Sequence, residues 1–260
     1  MRALWQELTD LVMPGCCAGC GAAAARRRVC GPCRDFLARA VARRVRPAAA
    51  PAGLPSVHAC LGYADEVRAL LLAHKERGAL PLAQPLGVVL ARAVRAAAAL
   101  PVRSGPAVPW VLVPVPSARR AVAARGHDPV RRMALGAAAA LRRSGTPARV
   151  LPALRRARPV ADQAGLSAPE RAANLHGALE AVPACGASLA PESAAPPPVV
   201  LVDDLITTGA SLAEAARALR ECGGAEPSAA VVAARCRNGA GARPVLPRTG
   251  GVHPMGGTCQ

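Results

Sequence analysis

Apolar and polar positions along this chain follow two patterns, short apolar runs and longer stretches in which apolar side chains recur with helical spacing. The apolar runs are short enough to be strands buried on both faces of a parallel sheet. They lie at residues 57–63, 111–115, 199–202 and 228–234. The helical spacing predicts helices at residues 65–76, 80–100, 128–143 and 211–222. This alternation of strands and helices is typical of an α/β fold with right-handed crossovers.

The two ends of the chain have a different character. A short amphipathic helix is predicted at residues 3–12, and a basic helical stretch at residues 35–46. The segment that follows is rich in proline and alanine and is interpreted as a linker, whereas the last residues are rich in glycine and proline and are expected to be disordered. The predicted organisation is a head at 1–46, a linker at 47–56, an α/β domain at 57–236 and a tail at 237–260.

The charge of the chain is strongly basic. Among its 260 residues, 33 are Lys or Arg and 16 are Asp or Glu, so the formal net charge is +17. Such a balance favours polyanionic ligands, including phosphate compounds and nucleic acid. No run of 18 apolar residues lacks a charge, so no membrane span is expected. Glu7 and Asp10 interrupt the region where a signal peptide needs an apolar core, which favours a cytoplasmic protein.

Two Cys-x-x-Cys pairs, Cys17/Cys20 and Cys30/Cys33, lie near the beginning of the chain. Four thiolates at this spacing suit a tetrahedral structural Zn²⁺. Cys16 is an alternative to Cys17, although only Cys17 gives the x-x spacing. Disulfides and a redox motif are the competing interpretations; a cytoplasmic chain disfavours the first, and the absence of a thioredoxin-like strand–helix junction disfavours the second.

The most informative segment follows the apolar run at 199–202. It continues with the adjacent acids Asp203 and Asp204, then with a Thr-Thr-Gly-Ala-Ser loop that opens a helix. Backbone NH groups and hydroxyls at a helix N-terminus suit a phosphate, and two carboxylates beside them suit sugar hydroxyls or Mg²⁺. The segment therefore predicts a site for a ribose 5-phosphate.

This segment resembles the 5-phosphoribosyl-1-pyrophosphate (PRPP) motif of type I phosphoribosyltransferases. The resemblance implies that Asp203 and Asp204 bind the ribose hydroxyls of PRPP. It also implies that the 5-phosphate is held by the loop residues Thr207, Thr208, Gly209, Ala210 and Ser211.

The order of motifs along residues 10–235 resembles the ComF family, whose members are competence-associated and phosphoribosyltransferase-like. Between the cysteine pairs and the PRPP motif lie Leu-Leu-Leu-Ala-His-Lys-Glu-Arg-Gly at 70–78, Val-Pro-Val-Pro at 113–116 and Arg-Gly-His-Asp-Pro at 125–129. The resemblance implies a type I phosphoribosyltransferase-like parallel sheet flanked by helices and preceded by a small head that binds zinc through four cysteines.

The same resemblance implies further roles around the site. The pyrophosphate of PRPP, accompanied by Mg²⁺, is expected to contact Pro116, Ser117, Arg120, Arg125 and Lys75. The arginine-rich stretch at 155–171 resembles the mobile loop that closes over bound PRPP. His74 and His127 are expected to be structural rather than catalytic.

Two functions remain open at this level. The first is a phosphoribosyltransferase, linked to DNA uptake or to nucleotide metabolism. The second is a non-catalytic module that responds to PRPP or associates with single-stranded DNA and acts with a competence helicase. The sequence identifies neither the acceptor nor the oligomeric state.

Overall fold

The computed structural model of the chain describes residues 16–23, 28–98, 108–160, 167–185, 197–223 and 226–235. The strands of this part are β1 (Arg43–Val45), β2 (Val57–Gly62), β3 (Trp110–Pro114), β4 (Ala148–Val150), β5 (Leu154–Arg156), β6 (Leu179–Ala181), β7 (Val199–Ile206) and β8 (Ser228–Ala234). The α-helices are α1 (Gly31–Ala38), α2 (Asp65–Glu76), α3 (Ala83–Ala97), α4 (Arg119–Arg125), α5 (Pro129–Arg143), α6 (Ala168–Leu175) and α7 (Ala210–Glu221). Short 3₁₀ turns cover Leu80–Leu82 and Pro183–Cys185.

Six of these strands form one sheet in the order β1-β2-β8-β7-β3-β4. The pairs from β2 to β4 are parallel, and only the pairing of β1 with β2 is antiparallel. Strands β5 and β6 form a separate antiparallel hairpin. The chain is therefore a mixed α/β protein with a mostly parallel sheet.

Both faces of the sheet are covered, and the central strands alternate between the two cores. Val200 and Val202 of β7 contribute to the core that includes α2, α3 and α5, whereas Val199 and Leu201 contribute to the core that includes α7 and the β5–β6 hairpin. These four side chains are at most 5% exposed. The continuous apolar run in the sequence is thus explained by burial on two sides.

Several predicted elements are confirmed, and one is wrong. The helix at 65–76 and the strand at 228–234 have the expected bounds. The stretch at 35–46 is not one helix, because α1 ends at Ala38 and residues from Arg43 pair with β2. The free edge of β2 supplies backbone partners that local sequence does not reveal. The predicted helix at 3–12 and the tail at 237–260 lie outside the described residues. No described helix has the length and apolarity needed to cross a membrane.

The cysteine-containing segment packs directly on the helices of the sheet. Cys17, Cys33 and Leu37 belong to the same buried core as Leu70 of α2. Arg92 of α3 donates a hydrogen bond to the Leu37 carbonyl at 2.8 Å, near the end of α1. The division of the chain into head, linker and α/β domain stays a prediction. Buried side chains of the predicted head and of the predicted α/β domain nevertheless belong to one core.

Candidate functional site

A crevice is expected where the chain leaves two neighbouring strands in opposite directions. From β3 the chain continues through α4 and α5 to β4, on one side of β3. From β7 it continues through α7 to β8, on the other side of β7. Strands β3 and β7 are parallel neighbours, so both connections leave from the same edge of the sheet. In open α/β sheets, ligands bind at such a point, beyond the carboxyl ends of the strands.

The two acids lie within the last half of β7 rather than after it. The strand continues to Ile206 because β8 keeps pairing with it, with Asp203 opposite Val231 and Leu205 opposite Ala233. Asp204 is buried, and its backbone NH donates to Oδ1 of Asp203 at 2.8 Å. The acids are therefore held by a paired strand.

Lys75 makes an ion pair with the second acid. Its Nζ lies 2.8 Å from Oδ2 of Asp204, and the side chains are 36% and 12% exposed. Burial lowers the pKa of Lys75, but the carboxylates of Asp204 and Asp203 outweigh burial and raise it overall. The last turn of α2 thus brings the Lys75 cation to the acids of β7, although Lys75 and these acids belong to separate sequence motifs.

The first acid has no such partner among the described residues. Burial, and then the neighbouring charge of Asp204, raise the pKa of Asp203 well above that of an ordinary aspartate. A carboxylate in this state gains from hydrogen-bond donors or a cation supplied by a ligand. The two adjacent acids are therefore not equivalent, because only Asp204 has a cationic partner within the described part of the protein.

The loop between β7 and α7 is tightly packed at its glycine. Gly209 is the N-cap residue of α7 and has a left-handed backbone with φ of 82°. A Cβ atom there would lie 2.9 Å from a methyl carbon of Leu54, which belongs to the predicted linker. Thr207 is exposed and Thr208 half-buried, with its Oγ1 accepting from the Ala210 NH at 3.4 Å. Ser211 is half-buried. The loop presents hydroxyls at the beginning of a 12-residue helix.

The loop after β3 starts beside the acids. The Val115 NH donates to the Val202 carbonyl at 3.0 Å, one residue before Asp203. Pro116 and Ser117 follow and are half-buried. The predicted pyrophosphate loop and the predicted ribose acids are thus neighbours across the β3–β7 pair.

The two predicted arginines are placed differently. Arg125, at the end of α4, binds Glu76 through two hydrogen bonds of 2.8 and 2.9 Å. Glu76 follows Lys75 directly, so Arg125 lies at the border of the site and is already occupied by a carboxylate. Arg120, in the first turn of α4, is exposed and has no ion pair with any described acid.

His74 and His127 tie α2 to the beginning of α5. His74 lies with Nε2 3.2 Å from the Pro129 carbonyl, and His127 with Nε2 3.2 Å from the His74 carbonyl. Both are buried, and burial lowers the pKa of His74. The hydrogen bonds to backbone carbonyls explain both residues as parts of the scaffold.

The sequence did not single out a buried ion pair that holds the β5–β6 hairpin. Glu214 of α7 is 5% exposed and accepts from the Leu179 NH at 2.9 Å. Arg217 binds Glu214 and donates to the Leu179 carbonyl at 2.8 Å. A glutamate among the apolar positions of α7, with an arginine three residues later, was the available signal. The mobile loop at 155–171 stays a prediction: its ends belong to β5 and α6, and residues 161–166 lie outside the described part.

The four predicted cysteines form a cluster that can hold a metal ion such as zinc. The Sγ atoms of Cys17, Cys20, Cys30 and Cys33 all lie within 4.8 Å of one another. A tetrahedral zinc site with Zn–S bonds of about 2.3 Å needs sulfur atoms about 3.8 Å apart, and Cys20 and Cys30 are 3.6 Å apart. Burial raises the pKa of Cys17, but backbone NH groups, beginning with that of Cys30, lower it to about 7 overall. Donor type, number and spacing therefore all fit zinc.

Gly19 explains why the cluster can approach α2. A Cβ atom at this glycine would lie 3.2 Å from the Cys33 sulfur and 3.3 Å from a side-chain carbon of Leu70. The turn between Cys17 and Cys20 is therefore packed between the cluster and α2.

No known protein-family profile matches this chain, and no curated protein matches it. The function is therefore inferred from the arrangement of residues at the ends of β3 and β7.

Proposed function

We propose that the protein is a phosphoribosyltransferase-like protein of the ComF type with a type I phosphoribosyltransferase fold, which acts in the cytoplasm and binds PRPP with Mg²⁺. One observation carries the proposal: a pair of acids and a Thr-Thr-Gly loop lie together where the connections after β3 and β7 diverge. The expected reaction is transfer of the ribosyl phosphate of PRPP to an acceptor, with a link to DNA uptake or nucleotide metabolism.

The loop at 207–211 is proposed to bind the 5-phosphate. The left-handed backbone at Gly209 turns the chain into α7. The first NH groups of a helix have no acceptor within the helix and can face an anion. The hydroxyls of Thr207, Thr208 and Ser211 add donors at the same place. The packing of Gly209 on Leu54 fixes the loop before any ligand arrives.

The acids are proposed to bind the ribose hydroxyls. Asp203 offers a carboxylate without a cationic partner among the described residues, and Asp204 is held in position by Lys75. A bound Mg²⁺ would neutralise the negative charge of the pyrophosphate and help it leave. The carboxylate oxygens of Asp203 can coordinate Mg²⁺ or accept hydrogen bonds from hydroxyl groups.

The cations around the acids are proposed to receive the pyrophosphate. In the reaction the bond between C1 of the ribose and the pyrophosphate oxygen breaks, a bond from the acceptor to C1 forms, and negative charge develops on the leaving group. Lys75, Arg125 and Arg120, with the Pro116 and Ser117 loop, are the groups proposed to face this charge. Preorganised cations stabilise developing charge without further rearrangement. The proton lost by the acceptor has no assigned base in this site.

Mg²⁺-PRPP binding tests the proposal. By mass action the ligand should increase the free energy of unfolding by about 2.7 kcal/mol at a hundredfold excess over Kd, and so raise the melting temperature. Asp203→Asn combined with Asp204→Asn should abolish this rise while the protein still unfolds cooperatively. Asp35→Asn, which changes an exposed acid of α1, is the control and should respond like the wild type. An unchanged response of the double variant would overturn the site assignment.

Turnover separates an enzyme from a binding module. We expect release of pyrophosphate from PRPP when the correct acceptor is present, and a panel of nucleobases and single-stranded DNA provides the first screen. Binding of PRPP without turnover by any of these acceptors would favour the non-catalytic alternative.

A specific observation supports that second candidate, a module that associates with single-stranded DNA and acts with a competence helicase. From α1 to the beginning of the linker, the chain carries exposed arginines, of which two lie on the edge strand β1; they are Arg34, Arg39, Arg43, Arg44 and Arg46. Asp35 is the only acid in this stretch. A basic strip of this kind suits a phosphate backbone.

A further inference from the structure

Lys75 lies between two residues that are both bound by the corner between α4 and α5. Arg125, the last residue of α4, holds the Glu76 carboxylate through two hydrogen bonds. His127, two residues later, lies with Nε2 3.2 Å from the His74 carbonyl. The corner thus contacts the residue before Lys75 and the residue after it. The last turn of α2, which carries the Lys75 cation, is therefore fixed by this corner.

The two ring nitrogens of His127 both face carbonyl oxygens. Nδ1 lies 3.1 Å from the carbonyl of Arg125, and Nε2 lies 3.2 Å from that of His74. Both distances are within the normal range for N–H···O hydrogen bonds. A carbonyl oxygen only accepts hydrogen bonds and a neutral imidazole has one N–H group, so only the imidazolium can donate to both oxygens. The geometry at this corner therefore fits a protonated ring.

The surroundings of His127 compensate for a buried positive charge. The residue is only 9% exposed, so its charge needs partners within the protein. Both carbonyls that it faces belong to the last turns of helices, one of α4 and one of α2. Carbonyl groups in a last turn have no donor within their helix, and the helix dipole there favours a cation.

The neighbouring His74 needs only one hydrogen on its ring. Its Nε2 lies 3.2 Å from the Pro129 carbonyl, whereas its Nδ1 is 3.5 Å from the Ala79 carbonyl, beyond the usual range. Burial lowers the pKa of His74, which favours the neutral ring. The rings of His74 and His127 are 6.1 Å apart, so a single positive charge on this pair belongs to His127.

The remaining charged side chains at this corner leave His127 without an anionic partner. None of the ion pairs formed between described residues includes it. The charged side chains of α2, α4 and α5 in this region have partners of their own or are exposed; they are Lys75 with Asp204, Glu76 with Arg125, Asp128 at the N-cap of α5, and the exposed Arg131 and Arg132. The two helix-end carbonyls are therefore the groups that hold the ring.

We propose that His127 is a positioning residue, whose imidazolium donates to the ends of α4 and α2 and so holds Lys75 against Asp204. For ligand binding this inference rests on the proposed function, in which Lys75 and Asp204 belong to the site. A pH dependence follows from the number of donors. When His127 loses a proton as the pH rises, one of its two hydrogen bonds is lost, and the last turn of α2 is held less firmly.

Nitrogen NMR of the histidine rings tests the protonation state in the wild-type protein. The ring nitrogens of His127 should have the chemical shifts of an imidazolium at neutral pH, and those of His74 should have the shifts of a neutral ring. This measurement needs no variant that could fail to fold. A neutral His127 ring at neutral pH would overturn the inference.

Lys75 is the only lysine of the chain, so its ion pair can be followed without any ligand. Amine labelling read by mass spectrometry reports how often Lys75 leaves Asp204, with the α-amino group as the internal reference. His127→Gln and His127→Phe should each label about 2- to 10-fold faster than the wild type, the effect of one lost hydrogen bond. His58→Gln is the matched control, because His58 is also partly buried but its Nδ1 has no hydrogen-bond partner.

The ratio of the labelling rates of His127→Gln and wild type should depend on pH. Taking the ratio removes the titration of the amine itself. It should be largest at weakly acid pH and fall towards one at alkaline pH, where the wild-type ring is neutral too. A ratio that does not change with pH, or a His58→Gln variant that labels as fast as His127→Gln, would contradict the positioning role.

Calorimetry of Mg²⁺-PRPP binding shows whether His127 acts through Lys75. His127→Gln should weaken binding by about 2- to 10-fold in the wild-type background. It should have no further effect in a Lys75→Met background, because the residue that it positions is then absent. An equal loss in both backgrounds would show a general effect on the fold and would overturn the inference.

The two proposals can fail separately. A protein that labels as expected but does not bind Mg²⁺-PRPP would retain the positioning of Lys75 and overturn the proposed function. Binding of Mg²⁺-PRPP through Asp203 and Asp204, with no effect of His127→Gln on labelling or affinity, would leave the proposed function standing and overturn the role of His127.

Discussion

At the scale of single residues, the adjacent acids of β7 have separate environments although they share one motif. Asp204 has a cationic partner at 2.8 Å, and Asp203 has a raised pKa because of burial and the charge of Asp204. The sequence predicted the acids and the loop that follows, because both belong to one local segment. It could not predict that Lys75, which lies 129 positions before Asp204, meets it, because this contact depends on how α2 packs on the sheet.

Asp203→Asn should stabilise the ligand-free protein at neutral pH. The pKa of Asp203 is higher in the folded protein than in the unfolded chain, so the folded protein favours the protonated carboxyl. This contribution to stability is complete below the unfolded pKa of about 3.9. It is lost as the pH rises through the folded pKa. The asparagine variant does not undergo this loss. We therefore expect the asparagine variant to unfold at a higher temperature than the wild type at pH 7, because the raised pKa of Asp203 is a cost to the folded wild type at that pH.

Thermal melts of wild type and Asp203→Asn across acid to neutral pH check this expectation. The difference in melting temperature should be largest at neutral pH and should shrink as the pH falls. Asp35→Asn on exposed α1 should show no comparable gain. A variant that is less stable than the wild type at neutral pH would contradict the raised pKa of Asp203 and its lack of a cationic partner among the described residues.

Gly209→Ala should weaken phosphate binding and destabilise the protein together. The left-handed backbone is unfavourable for alanine, and the new Cβ would lie 2.9 Å from Leu54. A loss of about 1–3 kcal/mol is expected from the strain. Gly62→Ala is the control, because a Cβ there meets nothing within 4 Å and the backbone is not left-handed. Urea unfolding should separate the two variants, and equal stability would argue against a strained loop.

At the scale of elements, helices α3 and α5 approach through paired glycines. A Cβ on Gly87 would lie 2.8 Å from the carbonyl carbon of Gly136, and one on Gly136 would lie 2.8 Å from the carbonyl oxygen of Ala83. The contact is with backbone, which cannot move aside as a side chain can. Close packing of this pair brings the beginning of α5, and with it His127 and Pro129, against the end of α2.

In Gly87→Ala, the loss of stability from overpacking should therefore exceed the gain in helix propensity that alanine usually gives. Alanine is favoured over glycine by about 1 kcal/mol in an unhindered helix, whereas overpacking costs about 1–3 kcal/mol. We expect net destabilisation, measured by urea unfolding, and a weaker response to Mg²⁺-PRPP as the end of α2 shifts. A stabilised Gly87→Ala variant would show that the two helices can separate without cost.

Elements with a strong apolar pattern were predicted well, and those defined by distant partners were not. Helix α2 and strand β8 follow from periodicity because their buried positions repeat regularly. Strand β1 was missed because its residues are mainly exposed arginines and only the edge of β2 makes it a strand. The β5–β6 hairpin was missed for the same reason, since its strands are three residues long and depend on Glu214 of α7.

At the scale of the whole molecule, the cysteine cluster is part of the shared core. We expect one zinc ion per chain by elemental analysis, because the four thiols match a closed tetrahedral shell. Cys20→Ser should lower the temperature of a single unfolding transition, since Cys17 and Cys33 pack in one core with Leu70. Cys222→Ser, outside the cluster, is the control. Two separate transitions would instead support an independent head.

The basic surface and the crevice should respond differently to salt. Binding of single-stranded DNA should be weak and should fall by about tenfold or more between about 50 and about 200 mM salt, because it relies on arginine–phosphate contacts. Aromatic platforms are scarce, with 2% aromatic residues. PRPP binding should decline less, because coordination and hydrogen bonds add to charge.

A titration of both ligands across this salt range checks the comparison. Arg43→Gln with Arg44→Gln should weaken DNA binding and leave PRPP affinity unchanged, because both arginines are exposed at the sheet edge. Tight DNA binding at physiological salt without detectable PRPP binding would overturn the enzyme proposal in favour of the DNA module.

The antiparallel strand β1 has a consequence for how the protein avoids self-association. Without residues 43–45, the backbone groups of β2 that pair with them would lie open at the border of an otherwise parallel sheet. Open edges recruit strands from other molecules, and charged side chains on a short edge strand discourage this. Strand β1 thus pairs with the backbone of β2, and its charged Arg43 and Arg44 side chains disfavour pairing with a strand of another molecule. Removing residues 1–46 to isolate the α/β part should therefore yield aggregates rather than a monodisperse domain.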